Sequence, residues 1–337
     1  MNYQEPQQSK KLMELNAYYI DNYASKDPSF KALIKFRFIN AIEYLRKLIN
    51  NKDNNLKKIL IKLATRVYPA ISIDHFNITQ PLTDAEINYK IKGKSPNSKI
   101  VVYTSIFGNS DLLHEPLFRS EKCDYFAITD QTLPPNSIWK KLDCSQIPGF
   151  CEYNNYQKSK FCKLFPHVLF PDYDYSIWVD GNALIVADLY PLIDKLDDNH
   201  VMGSFENPLH DCIYTEKNYI IYIDAADTNT IENQIKTYKK AGFPKNFGMR
   251  EFSILMRKHS DKKLQNLMTQ WWEHCNKYTM RDQISFPYVL WKNGLNIDYI
   301  QKYPGNWRKN PRFLFIPHNT LPPKSSSIKK LDIISNE

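Results

Sequence analysis

The 337-residue sequence predicts an α/β fold, a mixed and mostly parallel sheet flanked by helices, and three buried runs carry that prediction. Residues 99–107, 123–130 and 173–180 are each short, apolar and closed by a polar or glycine-containing turn. Helical patterning separates them, and strands alternating with helices build parallel sheets.

Taken in order, residues 1–97 read as an N-terminal helical extension. Ile34, Phe38, Ala41, Ile42 and Leu45 recur at helical spacing, as do Leu56, Ile59, Leu60 and Leu63. The polar residues 51–55 break the two apart. From residue 98 the period changes, and 98–318 is predicted to form one α/β domain. Its first strand, 99–107, ends at Gly108-Asn109-Ser110; its second, 123–130, ends before Pro134-Pro135. A helix is predicted over 157–169, a third strand over 173–180, a helix over 188–196 and a short strand over 200–205. Helices follow over 231–240 and 262–278, the latter with Trp271-Trp272 as core. Residues 319–337 form a polar tail.

Composition narrows the function classes. With 42% hydrophobic and 24% charged residues, a buried core is feasible and global disorder is not expected. No apolar run reaches 18 residues and residues 1–11 are polar, so neither a membrane span nor a secretory signal is expected. Six cysteines lack CxxC spacing, which fits free thiols in a reducing, cytoplasmic setting. The charge of +9 is spread along the chain without a recognition module, which argues against nucleic acid. It suits phosphate-bearing substrates or peripheral association with the inner face of a membrane. The N-terminal helices could also support a homo-oligomer.

In open α/β sheets ligands sit at the carboxyl ends of strands. The polar residues at those ends are Thr104, Ser105, Asp130, Asp180 and Asn182. Asp180-Gly181-Asn182 stands out: a carboxylate leaving a buried strand, followed by glycine, can meet a ligand closely. Departure of a nucleoside diphosphate from a sugar needs its growing charge neutralised by a divalent cation or by lysine and arginine. Mg²⁺ or Mn²⁺ suits oxygen ligands such as Asp180 and Asn182. Lys158, Lys160 and Lys163 precede that strand; Lys160 and Lys163 share a face and Lys158 is offset. Arg281-Asp282-Gln283 opens an apolar run, where Asp282 could cap a helix or, with Gln283 and Glu251, meet sugar hydroxyls.

In order, these segments resemble a known family. Tyr103-Thr-Ser-Ile-Phe-Gly-Asn109, residues 123–130, residues 163–171 running into 173–182, Cys212-Ile-Tyr214, Gly242-Phe-Pro244 and Arg281-Asp-Gln-Ile-Ser-Phe-Pro-Tyr288 carry the match. They are similar to the galacturonosyltransferase-like family of plant mucilage and pectin enzymes and their bacterial surface-polysaccharide relatives. The resemblance implies a GT-A-like nucleotide-diphospho-sugar transferase fold and retention of configuration. It also puts Asp180 and Asn182 in place of an Asp-x-Asp motif, and Asp282 and Gln283 near the transferred sugar. Two departures stand out: Asn182 is neutral, and Asn207-Pro208 and His210 replace a His-Pro and an arginine, which speaks against a uronic-acid donor.

The expectation is a glycosyltransferase moving a hexose-type sugar from a UDP-sugar to a glycan or lipid-linked glycan. Thr104, Ser105, Phe107, Gly108 and Asp130 would line the nucleotide pocket. Lys158, Lys160, Lys163 and Arg281 would meet the phosphates, and Glu251, Asp282 and Gln283 the sugars. A nucleotidyltransferase on a similar sheet and a non-catalytic glycan- or membrane-binding protein are the alternatives.

Overall fold

The computed structural model describes residues 98–108, 111–207, 210–222, 225–305, 307–310 and 312–315. The helices predicted within 1–97 and the polar tail 319–337 lie outside the described residues. The rest forms an α/β unit. Its strands are β1 (Ile100–Ile106), β2 (Cys123–Thr129), β3 (Lys140–Lys141), β4 (Tyr175–Val179), β5 (Ala183–Ile185), β6 (Met202–Glu206), β7 (Arg250–Arg257), β8 (Gln301–Tyr303) and β9 (Phe313–Phe315). Its helices are α1 (Asn155–Leu164), α2 (Pro166–Leu169), α3 (Tyr190–Asp194), α4 (Ile213–Tyr222), α5 (Thr228–Lys240), α6 (Lys262–Lys277) and α7 (Asp282–Lys292).

Seven strands make one sheet in the order β3-β2-β1-β4-β7-β6-β8, and β5 pairs with β9 in a small second sheet. The pairs β1–β2, β1–β4, β2–β3 and β6–β8 are parallel, while β7 runs antiparallel to both β4 and β6. The sheet is therefore mixed and mostly parallel, the α/β class that the sequence predicts. The inserted antiparallel strand β7 was not anticipated. It brings its N-terminal end, not its C-terminal end, to the edge where β4 finishes.

Alternation along the strands divides the core. Val101, Tyr103, Trp178 and Leu255 join α1, α2, α6 and α7 on one face of the sheet. Ile100, Val102, Ile177, Val179 and Met256 join α3 and the chain around Trp307 on the other. All of β1 is buried, as expected for a strand covered on both faces. A stack of Trp271 on Phe286, 4.0 Å between centroids, locks α6 to α7; Trp271 is 0% exposed, so it is core. Full burial of each such side chain stabilises by about 1.5–3 kcal/mol. A third cluster, including Ile231, Tyr238 and Tyr288, joins α4 and α5 to α7.

The helix predicted over 157–169 is two helices. Pro166 occupies the first turn of α2, where its missing N–H costs nothing, but it cannot continue α1. The start of α1 is fixed by a capping box: Asn154 Oδ1 accepts from Gln157 N at 2.9 Å and Gln157 Oε1 accepts from Asn154 N at 3.1 Å. This sets the rotation of the helix that carries the lysines.

Candidate active site

A cavity of about 690 Å³ opens where β1 and β4 end and β7 begins. The same strand alternation that sorts the core builds its floor. Trp178 faces α1, so Asp180, two residues on, faces the same way, and Trp178 Nε1 donates to Asp180 Oδ1 at 2.6 Å. Asp180 N donates to Ser253 O at 2.9 Å, tying the end of β4 to β7. Gly181 is required by close approach: a Cβ there would come within 2.7 Å of Ile106.

Most of the predicted residues meet at this cavity. Ser105, Phe107 and Gly108 line it from β1 and its turn, and Lys160 and Lys163 from α1. Asp180 and Asn182 line the floor, with Glu251 from β7 and Arg281, Asp282 and Gln283 from the start of α7. Thr104, Asp130 and Lys158 are absent from the lining, each for a physical reason. Thr104 alternates with Tyr103 and Ser105, whose hydroxyls reach α1, so its own points to the opposite face and is buried. Asp130 Oδ2 accepts the Gly108 N–H at 2.7 Å, pinning a glycine at φ 65°. Lys158 is two residues from Lys160, more than half a helical turn away, and its ammonium sits 5.9 Å from the Phe150 ring.

Residues outside the prediction also contribute, among them Asn155, Tyr156, Ser159, Trp178, Ser253 and Arg308. The strand period could have flagged Trp178. Arg308 arrives from a short 3-10 turn beyond β8 with no local signature.

Charge is arranged in two groups. On the α1 flank, Asp282 Oδ2 accepts from Lys160 Nζ at 2.8 Å and from Lys163 Nζ at 2.6 Å. Lys163 Nζ also stands 3.5 Å from Asp180 Oδ1. Burial works to raise the Asp282 carboxyl, but the two ammonium groups outweigh it and hold it far below the usual carboxylate range. Burial would likewise lower Lys160, yet Asp282 and its other anionic neighbours hold it above its ordinary value. Asp282 is not the cap of α7: Arg281 occupies the N-cap position and Asp282 is the first helical residue. On the β7 flank, Glu251 is held at both oxygens, by Ser253 Oγ at 3.0 Å and Arg308 Nη1 at 3.0 Å. Pairing of β6 with β7 shifts between Ser204 and Phe205, which sets Glu251 opposite Phe205.

The lining cations, Lys160, Lys163, Arg281 and Arg308, are four, and its carboxylates, Asp111, Asp180, Glu251 and Asp282, are also four. The lysines are engaged by carboxylates, so they are not idle counter-charges. Among the described residues no group of three or more His, Cys, Asp and Glu could hold a metal ion alone. Asp180 and Asn182 could still hold a hard cation jointly with ligand oxygens. Asp180 Oδ1 takes both protein donors, and Oδ2 takes none among the described residues. All six cysteines are free thiols, with Cys151 alone exposed.

Residues 127–302 match the family model of the TOD1/MUCI70 glycosyltransferase-like domain. The probable hexosyltransferase MUCI70 of Arabidopsis thaliana is 26% identical over 164 residues, which are 45% of this chain and 27% of that protein. The matched segment thus spans little more than a quarter of the curated relative. Among solved structures, the WbbM bifunctional glycosyltransferase is 15% identical, with a TM-score of 0.40 over 62% of this chain and 39% of that one. The glycosyltransferase GlyE of Streptococcus pneumoniae TIGR4 is 11% identical, with a TM-score of 0.39 over 71% of this chain and 64% of that one. Likenesses this remote say nothing of substrate. The family match spans half of the chain, and the chain belongs to the TOD1/MUCI70 glycosyltransferase-like domain family.

Proposed function

We propose that the protein is a glycosyltransferase that moves a hexose-type sugar from a nucleoside-diphosphate donor, UDP being the nucleotide, to a glycan or lipid-linked glycan. The observation that carries this reading is Asp180, at the cavity floor where β4 leaves the sheet, with a buried lysine–carboxylate cluster on one side and a held glutamate on the other.

The donor diphosphate would lie over Asp180, with its nucleoside toward Ser105, Phe107 and Gly108 and its sugar toward Glu251 and Gln283. On the α1 flank two ammonium groups face one Asp282 carboxylate, so that group carries a net positive charge beside Asp180. The lining as a whole is balanced, however, and a diphosphate brings at least two negative charges. Asp180 and Asn182 are therefore suited to hold Mg²⁺ or Mn²⁺ together with the diphosphate; the cation would supply electrostatic stabilisation of the leaving group. Arg281 would add a further cation at the mouth.

Glu251, fixed by Ser253 and Arg308, and Gln283 would accept hydrogen bonds from sugar hydroxyls and orient C1. In a retaining transfer the C1–O bond to phosphate breaks as the acceptor oxygen bonds C1 on the same face, and a leaving-phosphate oxygen takes the acceptor proton. No protein base is then needed. The setting we propose is surface-polysaccharide assembly at the cytoplasmic face of a membrane, in keeping with the charge of +9.

A panel of nucleotide sugars incubated with and without Mn²⁺ tests the reading. We expect release of free UDP from one or more UDP-hexoses, faster with Mn²⁺ and lost in Asp180→Ala. Release of pyrophosphate, or UDP release undiminished in Asp180→Ala, would contradict it.

A further inference from the structure

We propose that Arg257 is a positioning residue: from within the core it holds the backbone of Lys163 so that the Lys163 ammonium bridges Asp180 and Asp282. This inference rests on reading the cavity as the donor site.

Arg257 closes β7 and is 0% exposed. Among the described residues no carboxylate pairs with it. Instead Nη1 donates to the Lys163 carbonyl at 2.7 Å and Nη2 donates to the Tyr103 hydroxyl at 2.6 Å. That hydroxyl donates in turn to the same Lys163 carbonyl at 3.2 Å. The Met268 sulfur lies 3.9 Å from Nη1 and completes the surroundings.

An arginine remains charged in a protein, and a buried charge without a counter-ion is costly. A methionine or leucine would fill the same space without that cost, so fold stability alone is a poor reason for a guanidinium here. What Arg257 meets explains it better. α1 ends at Leu164, and the last carbonyls of a helix lack partners within the helix and gather its partial negative charge. The guanidinium and the phenol converge on one of them. It belongs to the residue whose side chain touches both key carboxylates.

Lys163 is thus held at two ends. Its carbonyl is fixed to β1 and β7 through Tyr103 and Arg257, and its ammonium stands 2.6 Å from Asp282 and 3.5 Å from Asp180. A long, flexible side chain with a clamped backbone delivers its charge to one place. Arg257 itself does not line the cavity, so it acts through Lys163 and not on a substrate.

A double-mutant cycle tests this. Arg257→Met, Arg257→Lys, Lys163→Met and the Arg257→Met/Lys163→Met double variant are assayed with UDP-hexoses for kcat and donor KM, alongside Tm. Arg257→Met should lower kcat about tenfold, Arg257→Lys should restore most of it, and the double variant should be no slower than Lys163→Met alone. Losses that multiply, or a fall in Tm with kcat unchanged, would overturn the proposal. If the wild type turns over no UDP-hexose, the donor-site reading fails separately, and the coupling is then read in stability. Arg257→Met and Asp282→Asn in combination should then shift Tm by an amount clearly different from the sum of their single shifts, whereas additive shifts would overturn it. Should Arg257→Met fail to fold, Tyr103→Phe, which removes the other donor to the Lys163 carbonyl, runs the same cycle.

Discussion

The two flanks of Asp180 are built differently. On the α1 side, two lysines share one buried carboxylate, and the surplus cation reaches Asp180 itself. On the β7 side, Glu251 meets one arginine and one hydroxyl, a one-to-one arrangement with no surplus. A site that must neutralise a departing anion needs excess positive charge on the leaving-group side and neutral hydrogen bonding on the sugar side. In the function we propose, phosphate lies toward α1 and sugar toward β7.

Substitutions on each flank sharpen that division, and they fall in a definite order. Asp282→Ala should have the largest effect on the folded state, because it leaves two ammonium groups facing each other in a buried place. We expect a loss of about 3–5 kcal/mol in denaturant unfolding. The same pair sets a pH limit. With its folded carboxyl held low by Lys160 and Lys163, Asp282 contributes stability that is fully present above the unfolded carboxyl range, about pH 4. That contribution fades as the pH falls further toward the depressed folded value. Asp282→Asn should therefore flatten the acid limb of a stability–pH profile below about pH 4.

Asp180→Ala comes next and should cost roughly 10²–10³ in kcat, as removal of one charge-stabilising group does, with the fold intact. Glu251→Gln keeps the size and one acceptor oxygen, so on the sugar flank we expect a rise in donor KM of about fivefold and little change in kcat. An equal fall in kcat for Glu251→Gln and Asp180→Ala would erase the distinction between the flanks. Gly181→Ala should leave the charge arrangement of both flanks unchanged and lose about 1–3 kcal/mol of stability, because its methyl meets Ile106.

Much of the phosphate flank was legible in the sequence, and little of the sugar flank was. Apolar runs bounded by turns announced β1, β2 and β4 and put Asp180 at a strand end. The three-residue spacing of Lys160 and Lys163 set them on one face and Lys158 off it. β7 escaped notice because its ends are charged, Arg250, Glu251 and Arg257, and no strand-like alternation marks it. Arg308 meets Glu251 across 57 residues of chain, a contact that no local pattern encodes. Thr104 and Asp130 stand at strand ends yet do not line the cavity. Which face a strand-end residue serves depends on its neighbours' pleat, and which donor claims a carboxylate depends on a turn such as Gly108.

Binding of UDP by isothermal titration, with and without Mn²⁺, tests most directly whether Asp180 is the anchor of a diphosphate site. The account predicts saturable binding to the wild type that Mn²⁺ tightens, and at least a tenfold weaker affinity for Asp180→Ala. Equal affinity of the two proteins for UDP in the presence of Mn²⁺ would contradict it.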